Sequence, residues 1–162
     1  MFSLKDKVVY PGHGVAEIVR VVEKQVGQKK NSFLELKFLN KCMMILVPVE
    51  NIDSVGVRPL ISDQNIDDVF DIISQPVRGY TGARTTNWSK RNKEYLGKLR
   101  TGDLREIGMI YRDLKQMAQR KELSFGERNL LDTTESLLAE EISIVQNVTQ
   151  DKIVKHVRSL VN

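Results

Sequence analysis

The sequence has few of the residues from which catalytic and metal-binding centres are built. Its 162 residues include one cysteine and two histidines, and His13 and His156 fall in different predicted domains. A zinc site or a cysteine–histidine dyad needs several such groups close together, so we expect no enzymatic activity, no metal and no cofactor. His13 lies in a Pro-Gly-His-Gly segment and is expected to be a turn residue bonded to nearby backbone.

The lone cysteine also limits the covalent structure. Cys42 excludes an internal disulfide bond, which fits the reducing environment of the cytosol. It lies in the apolar run CMMILV at residues 42–47, so we expect a buried, unreactive thiol. No segment approaches the ~20 consecutive apolar residues that span a bilayer, and the start MFSLKDKVVYPGHG lacks the features of a secretory signal. These absences predict a cytoplasmic protein with no membrane partner. The sequence also has no phosphate-binding glycine motif, so we expect no small-molecule substrate.

The charge is concentrated in one stretch although the net charge is only +4. Residues 78–121 contain twelve Lys and Arg against four Asp and Glu. The acidic segment 63–77 precedes this stretch, and residues 122–162 carry an excess of acids. Such a basic segment favours contact with a polyanion such as a phosphate backbone. A solvated helix face is the alternative reading.

The first 60 residues have the pattern of short strands separated by turns. Apolar and β-branched runs predict strands at residues 7–10, 15–22, 33–39, 43–49 and 52–57. Pro48 is expected at a strand end, because proline cannot donate to a sheet ladder. Five short strands of this length are typical of a small Tudor-like or SH3-like β barrel, a fold that usually serves as a binding module.

From residue 61 to the C-terminus the apolar spacing is helical, which predicts an all-α domain and an α+β protein overall. Ile66, Val69, Phe70 and Ile73 form one stripe. After a loop at residues 77–86, Asn87 is expected to cap a helix that buries Tyr95, Leu96 and Leu99. Further helices are expected after Asp103, after a capping box at residues 124–127 and from about Thr149. The adjacent acids at 67–68 and 140–141 are interpreted as solvated surface.

The segment RTTNWSKRNK at residues 84–93 carries the most information about function. The only tryptophan, Trp88, stands at a predicted helix start, where free N–H groups and the helix dipole suit a phosphate. Lys90, Arg91 and Lys93 follow it. Trp88 could reach a DNA groove as an apolar wedge. It could equally be a core anchor, because it lies seven residues before Tyr95, and spacing alone leaves both readings open.

Six short motifs in this order resemble the CarD/CdnL family of bacterial regulators that bind RNA polymerase, along essentially the whole chain. The β half contributes VVYPGHG at 8–14, VPVEN at 47–51 and VGVR at 55–58, and the helical half contributes TNWSKR at 86–91, Leu99 with Gly102-Asp103, and LSFGE at 123–127. The first set is less specific, because transcription-repair coupling factors carry a similar module. The tryptophan and LSFGE segments distinguish CarD/CdnL.

The resemblance implies a Tudor-like domain at residues 1–60 that binds the RNA polymerase β subunit at its β1 lobe. It also implies a helical domain at residues 61–162 set against promoter DNA at the upstream edge of the transcription bubble. Trp88 would be the minor-groove wedge. The family's basic DNA-contacting positions fall on Lys90, Arg91, Lys93 and Arg128.

Two positions on the polymerase side depart from the family pattern. Leu46 stands where an arginine usually precedes Val-Pro, and Lys24 replaces another partner-contacting arginine, which keeps the charge but loses the bidentate fork. The contact is expected to be more apolar, weaker, or adapted to a different β sequence. Leu46 as a plain core residue is the alternative.

We therefore expect a non-enzymatic transcription regulator that binds RNA polymerase and stabilises the open promoter complex with little base-specific readout. One alternative is a protein–protein adaptor without DNA contact, favoured by a buried Trp88 and a basic patch neutralised by acids. Another is an RNA-binding protein that would stack bases on Tyr10, Phe33 and Phe38, although these three aromatics have the pattern of core residues.

Overall fold

The computed structural model describes residues 2–76 and 88–161, without the side chains of Val26, Trp88 and Ser89. The expected loop at 77–86 and the Asn87 cap lie outside the described residues. The chain divides into two compact units, Met1–Leu60 and Ile61–Asn162. A five-stranded antiparallel sheet precedes a set of helices in the described chain, so the predicted α+β fold class is confirmed.

The described strands form one sheet in the order β4-β3-β2-β1-β5, with β4 and β5 at its edges. Their bounds are β1 Lys7–Tyr10, β2 Gly14–Val26, β3 Lys29–Phe38, β4 Met44–Pro48 and β5 Arg58–Pro59. One face covers a core built from Val8, Ala16, Ile18, Leu34, Leu36, Phe38, Val47, Ile52 and Val57. Pro48 ends β4 as predicted.

The strand predicted at residues 52–57 was wrong. A 3-10 turn at Val49–Asn51 leads into the single helical turn α1, Ile52–Val55, and β5 follows it. The Ser54 hydroxyl donates to the Asn51 carbonyl at 3.0 Å. Gly56 then adopts φ 88°, the left-handed conformation that closes a helix and that glycine tolerates best. Gly56 and the polar residues of this segment therefore favour a helical turn, although its apolar residues have the pattern of a strand.

Five further helices occupy the described part of the second unit. They are α2 Asp63–Ser74, α3 Trp88–Thr101, α4 Leu104–Arg120, α5 Phe125–Gln146 and α6 Gln150–Leu160. The predicted cap at Asp103 is present, since its side chain accepts from the Arg105 N–H. The last helix begins at the predicted place, and its cap is the Thr149 hydroxyl, which accepts from the Lys152 N–H. Buried apolar residues from all five helices share one core, with Phe70 partly buried beside it.

Close packing of α2 against α4 is made possible by Gly108. A Cβ atom at this position would lie 3.3 Å from Val69 Cγ1 and 3.5 Å from Ile73 Cγ1. Polar contacts add to the packing, since Arg105 donates to Asn65 Oδ1 at 3.1 Å and Gln116 to the Gln75 carbonyl at 3.1 Å.

Two expectations about exposure in the helical unit were wrong. Glu140 and Glu141, interpreted as solvated surface, are buried, and Glu141 Oε2 accepts the Ile61 N–H at 2.7 Å. Helix α5 packs against both α4 and α6, so it is covered on more than one side. Leu96, expected to face inward, is 39% exposed, whereas Leu99 is buried and Tyr95 is partly buried.

Candidate nucleic-acid and partner-binding surfaces

The first two turns of α3 carry an excess of positive charge that does not stabilise the helix. Lys90, Arg91 and Lys93 follow Trp88, and the first turn contains no acid. Cations near a helix N-terminus oppose the helix dipole, typically at a cost of about 0.3–1 kcal/mol each. Lys90 and Lys93 are exposed. The start of α3 therefore carries two exposed positive charges that its dipole does not favour.

The structure places Arg91 differently from the two lysines. Its side chain is 21% exposed, and Nη2 lies 3.9 Å from Glu127 Oε2. Its Nη1 lies 3.9 Å from the Met117 sulfur. Arg91 therefore joins the first turn of α3 to α4 and to the start of α5, instead of extending into solvent.

Glu127 has contacts beyond the capping role that its sequence pattern predicts. The predicted capping box is confirmed: Oε1 accepts the Ser124 N–H at 3.0 Å, and Ser124 Oγ accepts the Glu127 N–H at 3.2 Å. The second oxygen, Oε2, also lies 3.9 Å from Lys121 Nζ. Burial raises the pKa of this carboxyl, but the bonds from Ser124 and the charges of Lys121 and Arg91 outweigh it and lower the pKa.

Arg128 follows in the first turns of α5 and is 58% exposed, with Nη2 bonded to Glu122 Oε1 at 2.9 Å. Phe125, the first residue of α5, is 82% exposed. It belongs to the LSFGE motif, and the sequence pattern assigned it no role of its own. We call the exposed cations of this region the α3–α5 basic surface; its members are Lys90, Lys93, Lys121 and Arg128.

The Trp88 side chain lies outside the described residues, so the choice between wedge and core anchor stays open. Its backbone begins α3, within the same turn as Arg91. The basic members of the predicted DNA-contacting set are thus two exposed lysines and one partly buried arginine on α3, with one exposed arginine on α5 that is paired with Glu122.

In the first unit, Lys24 and Leu46 lie on the same face of the sheet. Leu46 pairs with Glu35, which pairs with Arg20, and Lys24 pairs with Asn31 on the same side. Directly paired residues share a face, and this face is opposite the core. We call it the outer sheet face; it carries Arg20, Val22, Lys24, Asn31, Phe33, Glu35, Met44, Leu46 and Pro48.

Leu46 is not a core residue. It is 39% exposed, and Met44, two residues earlier on the same face, is 52% exposed. Between Leu46 and Lys24 lies a half-buried apolar row in which Val22 pairs with Phe33 and Phe33 with Pro48. Phe33 was expected in the core and is on the opposite side. The aromatic platform required for RNA stacking is therefore divided, since Phe38 is buried in the core and Tyr10 packs against it.

Cys42 is exposed, which corrects the expected buried thiol. It stands in the turn between β3 and β4, so the apolar run begins only after it. The His13 backbone N–H donates to the Tyr10 carbonyl at 3.0 Å, as predicted for a turn residue.

Within the described residues, no three or more His, Cys, Asp and Glu side chains are grouped so that they could hold a metal ion. Among the described helices, none combines the length and hydrophobicity of a membrane span.

Comparison with known proteins identifies both units. Residues 2–61 match the CarD-like/TRCF RID domain, and residues 68–158 match the CarD C-terminal domain. The chain belongs to the CarD family. It is a CarD-like transcription factor with a Tudor-like N-terminal domain.

Individual relatives are similar at moderate identity. The "Putative transcription factor YdeB" of Bacillus subtilis (strain 168) is 26% identical over 153 residues, covering 94% of this chain and 97% of YdeB. The solution structure of the 72-residue N-terminal domain of Myxococcus xanthus CarD shares 27% identity, with a TM-score of 0.32. That similarity covers 36% of this chain and 79% of the Myxococcus domain.

Proposed function

We propose that this CarD-family protein binds the β1 lobe of the RNA polymerase β subunit through its N-terminal sheet and stabilises the open promoter complex through its helical domain. Membership of the RID domain class implies interaction with RNA polymerase. The proposed DNA contacts are made by the α3–α5 basic surface together with Trp88. The exposed Lys90 and Lys93 at the start of α3 are the observation that carries the DNA-binding part.

The polymerase-binding part rests on the outer sheet face and on the edge strand β4. An edge strand presents unpaired backbone groups to which a partner strand could add. Met44 and Leu46 extend from that strand with exposed apolar surface. Arg20 is already paired with Glu35. The proposed contact therefore relies on apolar packing, with Lys24 available to one acidic group of the partner.

Weak DNA binding is sufficient for this mechanism. Attachment to polymerase raises the effective concentration of the α3–α5 basic surface beside the promoter. Contacts that form only with partly opened DNA favour the open state, since a ligand shifts an equilibrium by its differential affinity. Lysine contacts to phosphate carry no base information, so many promoters would respond.

The test is the lifetime of open complexes formed by cognate RNA polymerase, without the factor and with wild type, Trp88→Ala or Leu46→Glu. We expect wild type to lengthen the lifetime. Trp88→Ala should bind the purified β lobe normally and fail to lengthen it. Leu46→Glu should bind the lobe at least about tenfold more weakly, because a carboxylate would be desolvated in an apolar contact.

Two outcomes would refute parts of the proposal. If Trp88→Ala lengthened the lifetime as much as wild type, Trp88 would have no wedge role. If Leu46→Glu bound the β lobe with unchanged affinity, the outer sheet face would not be the polymerase-binding surface.

A protein–protein adaptor is a second candidate, favoured by the ion pairs in the basic region. Arg91 lies against Glu127, and Arg128 against Glu122, which reduces the positive charge available to phosphates. Salt dependence separates the candidates. DNA binding through phosphates weakens steeply with salt, and each lysine–phosphate pair adds about one unit to the logarithmic slope. Lys90→Glu combined with Lys93→Glu should therefore flatten the slope. An adaptor would show neither effect.

A further inference from the structure

One buried carboxylate connects three helices at the start of α3. Glu127 is 4% exposed. Its Oε1 is used by the capping box, whereas Oε2 has no hydrogen-bond partner among the described residues. The charged groups near Oε2 are Arg91 Nη2 from α3 and Lys121 Nζ, which follows α4, each at 3.9 Å.

The anionic form of this carboxylate is stabilised by the hydrogen bonds with Ser124 and by the charges of Lys121 and Arg91. Moving an uncompensated charge out of water is costly, and removing one partner of a buried pair is strongly destabilising. The Arg91 guanidinium is also partly removed from water and depends on the charge of Glu127. Its buried Nε has no hydrogen-bond partner within the described part of the chain. A guanidinium held in this way is poorly placed to leave for a DNA phosphate.

The buried apolar side chains described on α3 lie beyond its first turns. Among its described side chains, Leu99 is buried and Tyr95 partly buried, and both lie in the second half of the helix. Arg91 precedes Tyr95 by four residues and Leu99 by eight, so these three side chains lie on one face. The Arg91–Glu127 pair therefore links the basic end of α3 to the start of α5.

We propose that Glu127 is a positioning residue for DNA contact: through Arg91 it holds the first turns of α3, with Trp88, Lys90 and Lys93, against the start of α5. The inference rests on the proposed function, and it assigns Arg91 to positioning rather than to direct phosphate contact.

Glu127→Gln tests this proposal because simple electrostatics predicts the opposite sign. A glutamine at this position retains the capping box but removes the charge that holds Arg91. Removing any acid from a DNA-binding region should raise DNA affinity if only net charge matters. Positioning instead predicts that promoter DNA affinity in the polymerase complex falls at least about fivefold, the low end of typical coupling between sites.

Glu94→Gln is the matched control. It makes the same charge change at an exposed position on α3 itself, and it should preserve or raise DNA affinity. Arg91→Gln should weaken binding as Glu127→Gln does, and the double variant should bind no more weakly than either single variant, since both remove the same ion pair. A direct Arg91–phosphate contact would instead make Arg91→Gln weaken binding and Glu127→Gln strengthen it.

Amide hydrogen exchange on the full chain provides a readout without DNA. We expect Glu127→Gln to speed exchange more in the first two turns of α3 than in α5, since the cap is retained. Equal acceleration in both helices would indicate general destabilisation, and unchanged exchange in α3 would likewise overturn the inference. Faster exchange in α3, combined with no effect of wild type on promoter complexes, would refute the proposed function and leave the anchoring of α3 standing.

Discussion

Two glycine-to-alanine substitutions in the helical unit are expected to change stability in opposite directions. Alanine gains about 1 kcal/mol over glycine in a helix interior. A Cβ atom added to Gly97, on α3, would meet nothing within 4 Å, so Gly97→Ala should raise the free energy of unfolding by about 0.5–1 kcal/mol. The same local gain applies to Gly108 on α4.

At Gly108 the packing term opposes this gain. The new methyl group would lie 3.3 Å from Val69 Cγ1, 3.5 Å from Ile73 Cγ1 and 3.8 Å from Ile73 Cδ1. Val69 and Ile73 are both 0% exposed, so neither side chain can move aside into solvent. Overpacking a filled core costs about 1–3 kcal/mol. Gly108→Ala should therefore lower the free energy of unfolding by up to about 2 kcal/mol after the propensity gain.

Urea unfolding followed by circular dichroism at 222 nm measures both effects, because the helical unit dominates that signal. We expect the midpoint to rise for Gly97→Ala and to fall for Gly108→Ala, with unchanged slopes. Equal stabilisation by the two substitutions would refute the reasoning, since it would mean that α2 and α4 are not in close contact at Gly108.

Two further predictions use the same unfolding assay. Tyr111→Phe should lower the free energy of unfolding by about 1–2 kcal/mol, because the buried hydroxyl donates to Glu135 Oε2 at 3.1 Å. Arg158 also donates to Glu135, and an unchanged midpoint would show that this bond alone satisfies the carboxylate. The second concerns pH. The pKa of Glu127 is lowered on folding from its ordinary 4.5, so the unfolded chain binds more protons in this range and stability rises with pH. The advantage of wild type over Glu127→Gln should be complete above about pH 5 and shrink as pH falls through the lowered pKa; a gap that is constant with pH would contradict this linkage.

The helix boundaries could be predicted because their signals are local. Asp103, the Ser124–Glu127 box and Thr149 each bond backbone N–H groups within a few residues, so a short window contains both partners. The prediction of a strand at residues 52–57 was wrong, although the signals that decide this segment are also local. Its apolar residues are buried as a strand's would be, but Gly56 and the polar residues of that segment select a helical turn.

Exposure was predicted less well, because burial depends on elements distant in the sequence. The α3 stripe suggested that Leu96 faces inward, yet it is exposed, while the charged Arg91 occupies an inward position. Adjacent acids usually include at least one solvated residue, but Glu140 and Glu141 are both buried on α5, which packs against α4 and α6. Hydrophobic periodicity describes one covered face and does not identify a helix covered on two sides.

The sequence alone determined the division into a β half and a helical half, the caps at Asp103 and Ser124, the basic segment and, through its motifs, the family. The tertiary structure decided which side chains meet. In β2, the bulge between Ile18 and Arg20 reverses the alternation, so Ile18 faces the core while Lys24, six residues later, lies on the opposite face with Leu46. A bulge depends on pairing with β3, and the Arg91–Glu127 contact joins residues 36 positions apart. Neither feature has a local signal, because each arises only when separate parts of the chain pack together.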